Sequence, residues 1–325
     1  MVSEASALRL SDPLRRSVPL PFTAAAYPLG FRLNVVTNSR DVLEAVTEAW
    51  GAYTAEFDHP PIELRFVVQP EGAPISDFPV FRSQGDLFSV VFDGHNFGVA
   101  DRRTMSGYCF VSEQTAARHM LLRVHFLESM AYLLISQRYA MPMHAACVAR
   151  SGSGLLLCGV SGSGKSTLAF ACARAGWTFV GDDATWMSLL EAGRRAIGKP
   201  HQARFCHDAP RLFPELAGYV ASQRPNGKIA IEVPTADFPQ IHSASQCSID
   251  GLLLVERGAG LGPAAVSVPA EAVVERMLAD MPDYGAGVAE VYQQALGRLL
   301  AVPAWRLQYE TLDEALGLLS EIKPR

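Results

Sequence analysis

The sequence predicts an α/β fold in two parts, a small α+β domain over residues 1–113 and a larger α/β domain over 114–325. Three observations predict it. Up to residue 113, short β-branched or aromatic runs alternate with Gly, Pro, Asn and Asp. From Ser112 a long stretch of helical periodicity begins, and beyond it strand-like runs alternate with helical ones, the pattern of an α/β sandwich. The chain has 325 residues, 49% hydrophobic and 19% charged. Those proportions suffice for one large core or two modest ones and exclude disordered, collagenous and coiled-coil chains.

In the first part, 30–36, 61–68, 87–92, 97–100 and 108–111 read as strands bounded by turn residues. Arg40–Trp50 places Val42, Leu43, Val46 and Trp50 on one helical face. Asp93-Gly94 sits between two strand-like runs, a hairpin signal. The long helix that follows repeats Met120, Leu121, Val124, Leu127, Met130, Ala131, Leu134 and Ile135 at helical intervals and opens the second domain. There the expected strands are 144–149, 154–158, 178–181, 203–206, 229–233, 251–256 and 304–309, and the expected helices lie near 165–175, 270–281, 285–300 and 311–321. The Gly-, Ala- and Pro-rich piece 258–268 reads as a surface loop. Neither an internal repeat nor a low-complexity tract is present.

A net charge of -5 and a pI near 5.9 remove the global attraction that a nucleic-acid binder carries, so no nucleic-acid partner is expected. The six cysteines are scattered, without a CxxC pair or zinc-type spacing, and read as reduced core residues of a cytoplasmic protein. Residues 1–16 hold no uninterrupted apolar region of signal-peptide length, so secretion is not expected. The most apolar helical stretch, 116–141, is broken by Arg118, Arg123, His125, Glu128 and Arg138, whereas a membrane span needs about 20 mostly apolar residues. No membrane partner is expected. The basic residues number 28, and the only lysines among them are Lys165, Lys199, Lys228 and Lys323, so this chain uses Arg wherever a generic positive charge will serve.

Gly159, Val160, Ser161, Gly162, Ser163, Gly164, Lys165, Ser166 and Thr167 satisfy the pattern GxxxxGK[ST], after the apolar run Leu155 to Cys158 and before a helical pattern. In such a loop the glycines let backbone N–H groups turn inward around phosphate oxygens, and the helix N-terminus adds partial positive charge at the same place. The expected ligands are ATP and Mg²⁺, with Lys165 reaching the β- and γ-phosphates and Ser166 ligating the metal. Asp182 and Asp183 follow the strand-like run 177–180, at the strand end where α/β sheets bind ligands. Adjacent acids there serve either as turn formers or, dividing two jobs, as metal holder and proton acceptor. His144, at the start of the strand before the glycine-loop strand, reads by spacing alone as an ordinary core or surface histidine.

Together, His144-Ala-Ala, the loop from Gly159 to Thr167, and Gly-Trp-Thr-Phe-Val-Gly-Asp182-Asp183 resemble the catalytic domain of the HPr kinase/phosphorylase family and its HPr-kinase-like relatives, strongly over about 45 residues and more loosely over 114–325. The resemblance implies a P-loop domain of the HPr kinase/PEP carboxykinase-like class. In that family a histidine 21 residues before the P-loop lysine and an aspartate 18 residues after it are functional, and His144 and Asp183 stand at those distances from Lys165. By resemblance Asp183 accepts the proton, His144 supports the site and Asp182 lies beside metal and phosphates. The Ile-Arg-Gly-Leu-Gly type signature of true HPr kinases, with its metal-binding Glu, is missing. In its stretch stand Arg204 and Lys228, each a candidate for contacting phosphate and as readily a plain surface charge. The N-terminal part resembles nothing in the family, which argues against HPr itself as substrate.

Three functions stay open on these residues. The first is an ATP-dependent kinase that phosphorylates a hydroxyl, foremost a serine of a peptide or protein. The second is a kinase of a free serine-like alcohol, and the third a nucleotide-binding regulatory module without catalysis, which the lack of NKxD and LSGGQ motifs disfavours. The sequence leaves a homo-oligomer open and does not name the acceptor.

Overall fold

The chain, seen in a computed structural model that describes residues 17–75, 78–223, 227–281 and 285–322, divides into two units. Of the described residues, one takes in those up to Ala26 with those of Arg32–Gly51 and His59–Ala131; the other holds Tyr27–Phe31, Ala52–Asp58 and those from Tyr132 onward. Residues 1–16, read above as holding no apolar region of signal-peptide length, and Lys323 fall outside the described residues. Among the described residues no helix is long and apolar enough to cross a membrane.

The first unit is built on β1 (Phe22–Ala26), β2 (Leu33–Thr37), α1 (Arg40–Trp50), β3 (Ile62–Gln69), β4 (Val80–Gln84), β5 (Leu87–Val91), β6 (Phe97–Asp101) and β7 (Ser106–Ser112). They form a seven-stranded sheet in the order β1-β2-β3-β7-β6-β5-β4. β2, β3 and β7 run parallel and the rest antiparallel. Period-2 alternation buries Ile62, Leu64, Phe66 and Val68 of β3, while α1 buries Val42, Ala45, Val46 and Trp50.

The long helix read from the sequence is not continuous. Ser112 caps a first turn, α2 (Glu113–Ala116), with its hydroxyl accepting from the Thr115 N–H. Arg118 (φ -97°, ψ 74°) leaves helical geometry before α3 (His119–Leu122). A π-helical segment, Arg123–Glu128, follows, and α4 (Ser129–Arg138) completes the run. The Ser129 hydroxyl donates back to the His125 carbonyl within that segment. Periodicity does not reveal such breaks, because they come from backbone bonding rather than from which face is apolar. The first half of this run belongs to the first unit, where Phe126 and His125 meet Phe92, and its second half, from Tyr132, to the second.

The second unit continues with β8 (Ala140–Met143), β9 (Ala146–Arg150), β10 (Ser153–Cys158), α5 (Lys165–Arg174), β11 (Thr178–Gly181), β12 (Thr185–Ser188), β13 (Arg195–Ile197), β14 (Gln202–Cys206), β15 (Ser222–Gln223), β16 (Ile229–Pro234), β17 (His242–Ser243), β18 (Gln246–Ser248), β19 (Gly251–Arg257), β20 (Ala264–Val268), α6 (Ala270–Leu278), α7 (Ala286–Leu299), β21 (Ala304–Tyr309) and α8 (Leu312–Glu321). Its seven-stranded sheet has the order β17-β11-β9-β10-β19-β21-β20. Both faces are covered. Leu155 and Leu157 of β10 join a core with α5, α8, β14 and β16, and Leu156 and Cys158 join the opposite core with α6, α7, β8 and β12. That double burial is why Leu155-Leu156-Leu157-Cys158 is apolar without alternation. α5 is fixed by Phe170, whose ring meets Phe205, Phe213 and Phe238 edge-on at 4.9, 5.0 and 5.4 Å.

Two further expectations are corrected. The piece 258–268 ends in an edge strand, β20, paired antiparallel with β21; little of it is buried, so its composition reads as loop. The expected strand 144–149 starts later, as β9 from Ala146; His144 and Ala145 form the bend between it and β8, a strand of a different sheet that the sequence did not reveal.

Candidate functional site

Strand register brings the singled-out residues to one edge. β9 pairs antiparallel with β11 through Cys147↔Gly181, and β8 pairs antiparallel with β12 through Met143↔Thr185. Both connections therefore cross between the same two sheets at the same place, which sets His144 opposite Asp182 and Asp183. The Thr185 hydroxyl fastens the crossing by donating to the Ala145 carbonyl at 2.9 Å. β10 runs antiparallel to β9 and parallel to β19, which is parallel to β21. The carboxyl ends of β10, β11, β19 and β21 thus converge, the edge where open α/β sheets hold ligands.

From β10 the chain enters the glycine loop with Gly159, Gly162 and Gly164 at φ 152°, 85° and 92°. Side chains rarely adopt such values. At Gly164, which precedes the first turn of α5, a Cβ would also lie 3.2 Å from the Tyr309 hydroxyl. The loop is satisfied from within by its own cation: Lys165 Nζ donates to the carbonyls of Gly159 at 2.8 Å and Val160 at 3.1 Å. Burial lowers the Lys165 pKa, and the charge of Asp183 offsets part of that. The Ser166 hydroxyl donates to the Asp182 carbonyl at 3.1 Å. Ser163 Oγ is buried and has no hydrogen-bond partner among the described residues, as is true of the Tyr309 hydroxyl.

The two adjacent acids occupy different environments. Asp182 is buried; its Oδ2 accepts the Arg204 backbone N–H at 2.5 Å, and burial pushes its pKa up to about 6 against that hydrogen bond. Asp183 is exposed and lies with its Oδ1 3.9 Å from His144 Nε2. His144 Nδ1 lies 3.2 Å from Asp280 Oδ2, and Asp280 is bonded in turn by Arg276.

A cleft of about 400 Å³ collects most of these groups. The loop lines it through Ser161, Gly162, Gly164, Lys165, Ser166 and Thr167, and His144, Asp183, Arg204 and Lys228 line it as well. Gly159, Val160 and Ser163 belong to the loop without lining the cleft, and buried Asp182 does not line it either. Arg204 pairs through Nε with Glu232 at 3.1 Å. Arg257, Cys206, Asp208 and Asp280 were not singled out from the sequence. Arg257, which lines the cleft, was recoverable, since it ends the strand beside the one that feeds the glycine loop. Asp280 follows a helix with no motif around it and carries no sequence signal. Among the described residues the one group of three metal-capable side chains is elsewhere, at Asp41, Glu44 and His119 of the first unit. There His119 is already engaged, its Nδ1 2.6 Å from Glu48 Oε1 and its Nε2 4.0 Å from Asp41 Oδ1.

Set against known proteins, residues 108–206 match a family model described as SynChlorMet cassette protein ScmC. That span contains His144, the glycine loop and both acids. Among curated proteins none matches. Among solved structures, the Hpr(Ser) kinase/phosphatase from Coxiella burnetii matches with 12% sequence identity and a TM-score of 0.29, covering 55% of this chain and 94% of that one. At that TM-score the likeness transfers neither fold nor activity to this chain.

Proposed function

We propose that the protein is an ATP-dependent kinase that transfers the γ-phosphate to an alcohol, foremost a serine of a peptide or protein. The observation that carries the reading is the single cleft in which the loop, its lysine and the pair His144–Asp183 face one another. The loop fits a phosphate ligand on its own evidence. Three left-handed glycines shape it, a buried Ser163 hydroxyl in it lacks a partner among the described residues, and Lys165 satisfies itself on the carbonyls of the loop. Arg204, Lys228 and Arg257 add positive charge to the walls of a protein whose net charge is -5.

In this reading Lys165 leaves the Gly159 and Val160 carbonyls for the β- and γ-phosphates, and the N–H groups at the start of α5 hold phosphate oxygens. The Ser166 hydroxyl and Asp182 would hold Mg²⁺, whose charge neutralises the phosphates; a buried carboxyl pushed up to about 6 is a group that such a cation would stabilise. Asp183, exposed to the cleft, takes the proton of the attacking hydroxyl as its oxygen bonds to the γ-phosphorus and the bond to the β-phosphate oxygen breaks. ADP and a phosphate monoester leave.

The test is incubation with labelled ATP and Mg²⁺ and a panel of serine-containing peptides and small alcohols, scored for transfer separately from hydrolysis. Transfer to an acceptor is expected, and Lys165→Ala should abolish it while leaving the circular dichroism spectrum unchanged, because the loop backbone remains. Nucleotide binding without transfer to any acceptor, or undiminished transfer by folded Lys165→Ala, defeats the reading.

A further inference from the structure

The chain of contacts Arg276–Asp280–His144–Asp183 contains one carboxylate with no role in the reaction as described. Asp280 stands just past α6, its side chain 26% exposed. Arg276, one helical turn earlier, donates from Nη2 to Asp280 Oδ1, which leaves Oδ2 for His144 Nδ1 at 3.2 Å. Arg276 holds the Asp280 carboxyl below its usual range, and His144 contributes in the same direction. An ionised carboxylate offers only acceptor lone pairs. The contact is therefore a hydrogen bond only when the proton sits on Nδ1. On the other side of the ring, Nε2 is 3.9 Å from Asp183 Oδ1, beyond hydrogen-bond length but close enough to receive a proton after a small displacement or through a bound hydroxyl.

We propose that Asp280 is a positioning residue that accepts the Nδ1–H of His144 and so presents a bare Nε2 to Asp183 and the acceptor hydroxyl. An unconstrained neutral histidine side chain favours the opposite tautomer, with its proton on Nε2, so a ring without this anchor would present a donor where the reaction needs an acceptor. The charged groups around the ring are Asp183 from the β11–β12 connection, Asp280 with Arg276 from α6 and the turn after it, and Lys165 from α5, which feels all three. With Nε2 bare, the proton that Asp183 takes from the hydroxyl passes to His144, and the resulting imidazolium lies between two carboxylates. Asp183 is returned to its ionised form. The catalytic meaning of this arrangement rests on the phosphotransfer reading; the tautomer does not.

The contact with Arg276 makes the test sharp. In Asp280→Asn the amide oxygen stays with the Arg276 donor, so the NH₂ group falls on the His144 side and donates to Nδ1. The substitution should invert the ring. In protein labelled with ¹⁵N-histidine, long-range ¹H–¹⁵N spectra at alkaline pH should show Nδ1–H for His144 in the wild type and Nε2–H in Asp280→Asn. Asp183→Asn, on the other side of the ring, should keep Nδ1–H. Turnover of Asp280→Asn should fall roughly 10- to 100-fold, below the full contribution of a general base, with KM for ATP changed at most a few-fold. A ring that keeps Nδ1–H in Asp280→Asn, or that inverts in Asp183→Asn instead, overturns the proposal whether or not the protein is a kinase. Inversion with unchanged turnover in an active enzyme removes the positioning role. Inversion in a protein that transfers no phosphate upholds the hydrogen bond and defeats the phosphotransfer reading alone.

Discussion

Asp182 and Asp183 are neighbours in sequence, yet one is buried against the Arg204 backbone and the other faces the cleft. Their substitutions should therefore separate. Asp183→Asn keeps the volume but removes the basic oxygen, so transfer should fall by about 10²- to 10⁴-fold with ATP affinity changed several-fold at most. The loss in Asp182→Asn should be partly relieved by raising Mg²⁺. Transfer assays across a Mg²⁺ titration check this, and equal rescue of both would leave no division of labour. Asp182 also predicts a pH dependence of stability. Its folded pKa of about 6 lies above the ordinary aspartate value of 3.8, so between these values the folded state binds more protons than the unfolded one. Stability then falls as pH rises through that window, by roughly 3 kcal/mol in full. In metal-free buffer, Asp182→Asn should match the wild type near pH 4 and exceed it by up to that amount near pH 8, as read by urea unfolding at both values. At this scale the sequence was legible where chemistry needs a fixed string, as in Gly159 to Thr167. It was silent where a contact joins distant segments, as between His144 and Asp280, because no local pattern records a partner 136 positions away.

The elements that carry the site were legible where their period is sustained: α1, α5, β10 and β19 lie close to where apolar spacing places them. The short strands β12, β13 and β18, of three or four residues, leave no period to read. The same holds for the switch from β8 to β9, since a run of buried residues looks alike whether it stays in one sheet or changes to another. Close approach of elements leaves its mark at Gly154 of β10, where a Cβ would lie 2.1 Å from the Ser248 carbonyl oxygen and 2.5 Å from Cys247 Sγ. Gly154→Ala must push β18 away from β10 and should cost at least about 2 kcal/mol. A shift in the denaturation midpoint measures it, and a neutral substitution would mean that the two strands are not held this tightly.

Across the whole molecule, acidic residues outnumber basic ones, 33 to 28, while one cleft gathers Lys165, Arg204, Lys228 and Arg257. Net charge therefore informs on nucleic acid as a partner and not on a phosphate ligand, which needs a positive charge at a single place. The thiols divide in the same uneven way. Burial raises the pKa of Cys109, Cys158 and Cys172, the last two to about 12; that of Cys147 is raised first by its contact with the Cys247 sulfur, 3.5 Å away, and then by burial, and Cys247 itself stays half-buried. Cys206 alone of the six is exposed, and it lines the cleft. Nature has thus left a chemical handle inside the candidate site. A maleimide should attach there first, ATP with Mg²⁺ should slow the attachment, and a dye placed at that sulfur would report by its own emission when the cleft fills, without any acceptor having been identified.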